Sequence, residues 1–182
     1  MGQLKAIITD FDGTLFDTFI ANYLAYQEAF KICGYELSKE KYKECYGLRF
    51  DEFCNKLNIN IKDRQKLKDL KKKIYPKYFS YINLNYYVYN FLKDSKKNGL
   101  KLCIASTASK ENLYNVLDHF RMNDFFDVII TGEDVLKGKP DPEVYLKALA
   151  LLNCYHNEVL VFEDSDTGCK AVENANLNYI RV

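Results

Sequence analysis

Apolar residues along this chain fall into two kinds of pattern. Residues 5–9 (KAIIT) are a short apolar run that stops at Asp10, the length of a buried strand. From Phe19 to about Tyr89 no comparable run occurs. That stretch instead repeats apolar residues at helical spacing: Tyr23, Ala25, Tyr26, Ala29, Phe30 and Ile32, then Phe53, Leu57 and Ile61, then Leu67, Leu70, Ile74 and Tyr78. The positions between them are rich in lysine, and Lys71, Lys72 and Lys73 read as a solvated helix face. After Tyr89 strands and helices alternate. Residues 91–97 predict a helix closed by Gly99, since glycine suits a left-handed C-cap. Residues 101–105 (KLCIA) are a strand ending at Ser106, and Ser109 is placed to cap a helix running to about Phe120. A third strand spans 128–131 (VIIT). Asp141 and Pro142 form an N-cap and N1 pair for a helix over 143–152. A strand over 159–162 (VLVF) ends at Glu163, a helix covers 168–175, and 179–182 is a last strand.

Short all-apolar strands alternating with helices predict a parallel sheet covered on both faces, a Rossmann-like α/β core. The helical stretch interrupts that core after its first strand. The expected organisation is therefore discontinuous: residues 1–17 and 89–182 form the α/β core, and residues 18–88 form an inserted α-helical cap domain.

Composition narrows the partners. The chain has 182 residues, and its 26 Lys+Arg against 25 Asp+Glu give a net charge of +1. That balance offers no basis for binding nucleic acid or an anionic membrane surface, so neither is expected as a partner. No apolar run approaches the roughly 18 residues of a spanning helix, and the longest, 148–152, ends at Asn153. No signal-peptide core precedes Asp10. The six cysteines include no CxxC and no close pair, which predicts free thiols in a reducing compartment and a cytoplasmic location.

In an open α/β sheet, ligands bind beyond the carboxyl ends of the strands. The first strand ends in Asp10-Phe11-Asp12-Gly13-Thr14 and the second in Ser106-Thr107. The third is followed by Lys139, and the fourth ends in Glu163-Asp164. Four carboxylates, a hydroxyl and an ammonium thus converge on one rim. Carboxylates so close cannot all ionise unless a positive group joins them. Oxygen ligands with room for water suit Mg²⁺, which pairs naturally with a phosphate substrate. Lys139 and Ser106 complement phosphate oxygens. One of Asp10 and Asp12 can attack phosphorus and form an aspartyl phosphate, while the other protonates the leaving oxygen and then deprotonates water. Each piece alone has a plain structural reading. An Asp pair before Gly13 is a turn, Ser106 a helix cap, Lys139 a surface lysine, and Glu163-Asp164 an acidic pair at a helix N-terminus. Their placement at successive strand ends favours a site.

The segments DFDGTLFDT (10–18), IAS (104–106), GKPDPEVY (138–145) and VFEDSDTG (161–168) together resemble the haloacid dehalogenase-like (HAD) superfamily, in the branch of phosphoglycolate phosphatase and β-phosphoglucomutase. The likeness covers nearly the whole chain. It implies Asp10 as nucleophile and Asp12 as general acid/base. It implies Mg²⁺ held by Asp10, the main-chain carbonyl of Asp12, and Asp164, with Glu163 acting through water. Ser106 and Lys139 would bind the transferring phosphoryl group, Ser165 and Asp166 would support the fourth motif, and Thr14 would support the first loop. Dehalogenase and phosphonatase relatives lack an acid matching Asp12, so its presence favours phosphate esters or phosphoryl transfer.

Three departures from the family pattern stand out. Asn22 occupies the position of the mutases' cap-hinge histidine. Tyr86-Tyr87-Val88-Tyr89 replaces the Pro-Gly that usually follows the cap, and the sequence stops at Val182, where relatives often continue. The expected activity is Mg²⁺-dependent phosphatase action on a small phosphorylated metabolite, by a monomer or weak homodimer. A β-phosphoglucomutase-like phosphomutase and a non-catalytic phospho-accepting protein are the alternatives. Within the cap, Gly47-Leu48-Arg49 is the candidate specificity loop through Arg49. The tyrosines at 75, 78, 81, 86, 87 and 89 read chiefly as cap core. Cys103 and Cys169 read as packing residues, and His119 and His156 carry no motif.

Overall fold

A computed structural model describes residues 3–182 of the chain; Met1 and Gly2, at the start of the stretch read for a signal peptide and for the core, lie outside the described residues. In chain order the elements are β1 (Ala6–Thr9), β2 (Phe16–Asp17), α1 (Phe19–Ile32), α2 (Lys39–Lys43), α3 (Phe50–Lys56), α4 (Ile61–Ile74), a 3-10 segment (Tyr75–Tyr81), β3 (Asn83–Leu84), α5 (Tyr86–Lys97), β4 (Lys101–Ala105), α6 (Lys110–His119), β5 (Val128–Ile130), α7 (Glu143–Leu152), β6 (Val159–Glu163), α8 (Asp166–Asn174) and β7 (Asn178–Arg181).

Five strands form one parallel sheet in the order β5-β4-β1-β6-β7. All four residues of β1 are buried, as a central strand covered on both faces requires. Thr9 stands beside Ile104 on one side and Phe162 on the other. The chain therefore leaves the sheet at the same edge after β1, β4 and β6, and this register brings Asp10, Ser106 and Glu163 to one rim. One core cluster joins Ile8, Cys103 and Val161 from the strands to Tyr145, Ala148 and Leu152 of α7 and Val172 of α8.

The chain divides into two compact units. One is the chain up to Asp17 together with Leu84–Val182, and the other is Thr18–Asn83. The helical unit has its own core, built from Phe30, Leu37, Tyr42, Phe53, Cys54 and Leu67. Its aromatic rings pack closely, Tyr26 and Phe53 having centroids 4.6 Å apart.

The structure corrects several sequence expectations. Lys71 is not part of a solvated face. It is 4% exposed, with its ammonium 3.8 Å from the Tyr75 ring centroid and 5.2 Å from that of Tyr26. It lies one turn after Leu67 on the inward stripe of α4, whereas Lys73 points to solvent. The tyrosine cluster also splits. Tyr75 is buried, but Tyr81, Tyr86 and Tyr87 are exposed. Tyr86 begins α5, ahead of the expected start at Phe91, because Asn85 caps it: its Oδ1 accepts from the N–H groups of Tyr87 and Val88. The two-residue pair β2–β3 was not predicted. Ser109 occupies the N-cap of α6 without making a side-chain capping bond. Pro142 takes the N-cap position of α7, with Asp141 Oδ1 accepting from the Glu143 N–H at 3.1 Å. All six cysteines are free thiols. Among the described residues, no helix is long and apolar enough to cross a membrane.

Candidate active site

The rim of the sheet gathers its charged groups around Lys139. Asp10 follows β1, its N–H donating to Phe162 O at 3.0 Å, so the first residue of the loop is still tied to the neighbouring strand. The Lys139 ammonium donates to Asp10 Oδ1 at 2.6 Å and to Glu163 Oε1 at 2.5 Å. All three groups are nearly removed from water. Glu163 ends β6, and its second oxygen, Oε2, accepts from the N–H groups of Asp164 at 2.7 Å and Ser165 at 2.9 Å and from Ser165 Oγ at 3.2 Å. Asp164 is turned by Thr14, whose hydroxyl donates to Oδ1 at 2.7 Å.

Two glycines make room for these carboxylates. Gly13 has φ of +93°, a left-handed conformation that L side chains rarely adopt, and a Cβ there would lie 2.3 Å from Asp164 Oδ2. A Cβ on Gly168 would lie 1.7 Å from Glu163 Oε1. Both positions are closed to any side chain while the acids stay where they are.

The environment splits the acids electrostatically. Burial pushes the Asp10 carboxyl up to about 8; Lys139 pulls against that shift, and the neighbouring Glu163 and Asp164 add to it. Burial also raises Asp164, against the Thr14 hydrogen bond. At Glu163 burial again opposes ionisation, but Lys139 and the backbone N–H groups of Ser165 and Asp164 outweigh it and hold the carboxyl below its ordinary value. Burial disfavours the Lys139 ammonium too, yet the facing Asp10, Tyr145 and Glu163 keep it charged.

Among the described residues, Asp10, Glu163 and Asp164 each offer one oxygen, and the three lie within 4.8 Å of one another. A hard divalent cation that takes oxygen ligands fits that donor set. Asp12 lies outside this cluster. It is half-buried in the turn after β1 and bridges to Phe16. Ser106 is buried at the end of β4, its Oγ accepting from the Ala108 N–H at 3.0 Å. Arg49 is half-buried at the N-cap of α3, in the helical unit.

A family model described as haloacid dehalogenase-like hydrolase matches residues 7–182. The chain is a haloacid dehalogenase-like hydrolase. Among this hydrolase's relatives is a phosphorylated carbohydrates phosphatase of Thermotoga maritima, 28% identical over 97% of this chain and 84% of that protein. Protein CbbY of Rhodobacter capsulatus is 31% identical over 98% of this chain and 85% of that one. A solved structure of CbbY from Rhodobacter sphaeroides in complex with phosphate superposes with a TM-score of 0.90 at 25% identity, covering 98% of this chain and 86% of that one. The hydrolase thus stands with the phosphatases and phosphoglucomutases of its family, and it is a phosphohydrolase.

One residue at the site escaped the sequence reading. Tyr145, in the first turn of α7, closes the GKPDPEVY segment and falls with Val144, Ala148, Leu149 and Leu152 among the apolar positions of that helix, with no role of its own expected from the sequence. Its hydroxyl donates to Glu163 Oε1 at 3.2 Å, and the Lys139 ammonium lies 5.1 Å from its ring centroid. A phenol on a core-facing stripe is the one signal the sequence offered, because a buried Tyr hydroxyl needs a partner.

Proposed function

We propose that this hydrolase removes phosphate from a small phosphorylated metabolite in two displacements at Asp10. In the first, an Asp10 oxygen attacks phosphorus and forms an acyl phosphate. The substrate's ester oxygen leaves with the bonding pair and takes a proton from Asp12. In the second, water attacks that phosphorus and gives its proton to Asp12. Orthophosphate departs, and the Asp10 carboxylate is restored. Lys139 and Ser106 hold the phosphoryl oxygens during both steps. Asp12 suits the proton-transfer role because it stands apart from the three-acid cluster.

Asp10, Asp164 and the main-chain carbonyl of Asp12 would hold Mg²⁺; Glu163, expected to act through water, has both oxygens occupied by Lys139, Tyr145, Asp164 and Ser165 and would instead fix Lys139 beside the ion. The cation, when bound, neutralises charge on the phosphoryl oxygens. The helical unit is proposed as the cap that excludes water, with Arg49 selecting the leaving group. Sugar phosphates are the favoured class, because the Thermotoga maritima relative is named for phosphorylated carbohydrates. Asn22, at the position of the mutases' hinge histidine, favours hydrolysis over phosphomutase action.

The observation that carries this reading is Lys139 bridging Asp10 and Glu163 with Asp164 alongside. The test is release of p-nitrophenolate from p-nitrophenyl phosphate. The wild type should turn over with Mg²⁺ and stop with EDTA, and Asp10→Asn should lose at least a thousandfold. Turnover by Asp10→Asn, or none by the wild type with Mg²⁺, would overturn the reading.

A further inference from the structure

Glu163 accepts more hydrogen bonds than its neighbours. Oε1 takes the Lys139 ammonium and the Tyr145 hydroxyl, while Oε2 takes two backbone N–H groups and the Ser165 hydroxyl. A phenylalanine at position 145 would fill the same place in the core cluster around α7. The hydroxyl is therefore not needed for packing, and in a buried site it carries a desolvation cost unless it is paired. It is directed to Oε1, the Glu163 oxygen that also holds the lysine.

We propose that Tyr145 is a positioning residue for Lys139, acting through Glu163; the proposal rests on the reading of Lys139 as a phosphoryl-binding group. A carboxylate oxygen offers two good acceptor directions. With Tyr145 occupying one, Lys139 is confined to the other and stays within reach of Asp10 Oδ1, 2.6 Å away. The Tyr145 ring, beside the ammonium, closes the same side with its electron-rich face. Two of the three ammonium N–H groups are thus aimed at fixed acids, which leaves the third direction defined for a phosphoryl oxygen. Without the hydroxyl, Oε1 has an open acceptor direction in a dry site. The ammonium can then slide toward Glu163 and away from Asp10. The effect belongs to the transition state, where the shared charge on phosphorus must meet a lysine that does not have to reorganise.

The experiment compares wild type, Tyr145→Phe, Lys139→Met and the double variant with Mg²⁺ present. The readouts are kcat and KM for p-nitrophenyl phosphate, and calorimetric affinity for orthovanadate, which takes the five-coordinate geometry of the transferring phosphorus. Tyr145→Phe should lower kcat about tenfold, the equivalent of about 1.4 kcal/mol. It should weaken orthovanadate binding by a similar factor and leave KM within about twofold. In the Lys139→Met background the same exchange should change orthovanadate affinity less than twofold, because a residue acting through lysine has nothing left to position. Should Lys139→Met fail to fold, Lys139→Arg replaces it; the moved charge should likewise shrink the Tyr145 effect. A Tyr145→Phe protein with wild-type kcat and orthovanadate affinity overturns the proposal, as does a full tenfold effect that persists without Lys139. If Lys139→Met itself turns over like wild type, the underlying assignment of Lys139 fails, a different result from an inert Tyr145→Phe beside a dead Lys139→Met.

Discussion

Gly168 lies in the first turn of α8, where alanine would ordinarily be welcome, since a helix favours Ala over Gly by about 1 kcal/mol. The structure reverses that sign. A Cβ at Gly168 would sit 1.7 Å from Glu163 Oε1, 2.0 Å from its Cδ and 2.4 Å from Oε2, against an ordinary contact of 3.4–4 Å. The carboxylate would have to retreat by well over an ångström. A surface glutamate would rotate away at little cost. Glu163 is 1% exposed and is held from five directions, so any retreat breaks either the lysine pair or the N–H contacts of Asp164 and Ser165. Breaking a buried ion pair costs about 3–5 kcal/mol, and overpacking adds about 1–3. Set against the helix gain, Gly168→Ala should lose about 3 kcal/mol or more, a fall in Tm of about 6–12 °C for a chain of this size.

Thermal melts by circular dichroism measure that fall, and kcat on p-nitrophenyl phosphate measured below the melt should drop at least tenfold. Gly34→Ala is the control. Its φ is +81° and nothing lies within 4 Å of its Cβ, so only left-handed strain of about 1–2 kcal/mol applies and kcat should hold. A Gly168→Ala protein as stable as wild type, with unchanged kcat, would refute the claim that Glu163 is locked in place. A lowered Tm with full kcat would make the lock structural alone.

Two further outcomes are expected. In metal-free protein the Asp10 carboxyl, pushed up to about 8 from 3.8, binds a proton more readily folded than unfolded, so its contribution to stability falls as pH rises across that window. Glu158 and Glu143 are held below 4.5, and their contribution is lost only as pH falls through the lower range, so the two effects occupy different windows. Melts in EDTA from pH 5 to 8 should therefore show a falling Tm that Asp10→Asn flattens; an equal slope in both proteins would sink the assignment. Lys71→Ala should cost about 1–2 kcal/mol more than Lys73→Ala, because only Lys71 is buried against aromatic rings. Identical melts for the two variants would refute that.

The centre of the sheet was legible because β1, β4 and β6 are largely buried on both faces and so read as continuous apolar runs, as KAIIT and VLVF do. The acids at their ends were legible for a related reason: Asp10 and Glu163 stand where an apolar run abruptly meets charge. Strand order was not legible, since an apolar run does not say which run it pairs with. The start of α5 was missed because Tyr86 and Tyr87 are exposed and carry no core periodicity; only the Asn85 side chain marks the boundary. Lys71 was misread because charge outweighs position in a run of lysines, although residue 71 continues the stripe through Leu67. Tyr145 was hidden in the opposite way, an aromatic ring on an apolar stripe concealing a hydroxyl with a polar task.

The Lys139 ammonium at the rim accounts for the different behaviour of the acids around it. Lys139 lies between Asp10 and Glu163 at nearly equal distances, yet only Glu163 ends below its ordinary value. The difference is the backbone: Glu163 also takes the N–H groups of Asp164 and Ser165, whereas Asp10 faces two more carboxylates. A carboxylate satisfied by many donors is a stable anion and a poor nucleophile; one that is desolvated and under-satisfied is the reverse. Asp10 is of the second kind, which suits the attack proposed for it. That reactivity has a charge condition. With all three acids ionised against one lysine, the cluster carries two negative charges, and burial makes Asp10 the one to keep a proton. A divalent cation, if held by these acids as proposed, would cancel that excess and let Asp10 ionise at neutral pH. On the proposed reading, dependence on a divalent ion then follows from the count of buried charges as much as from the geometry of its ligands.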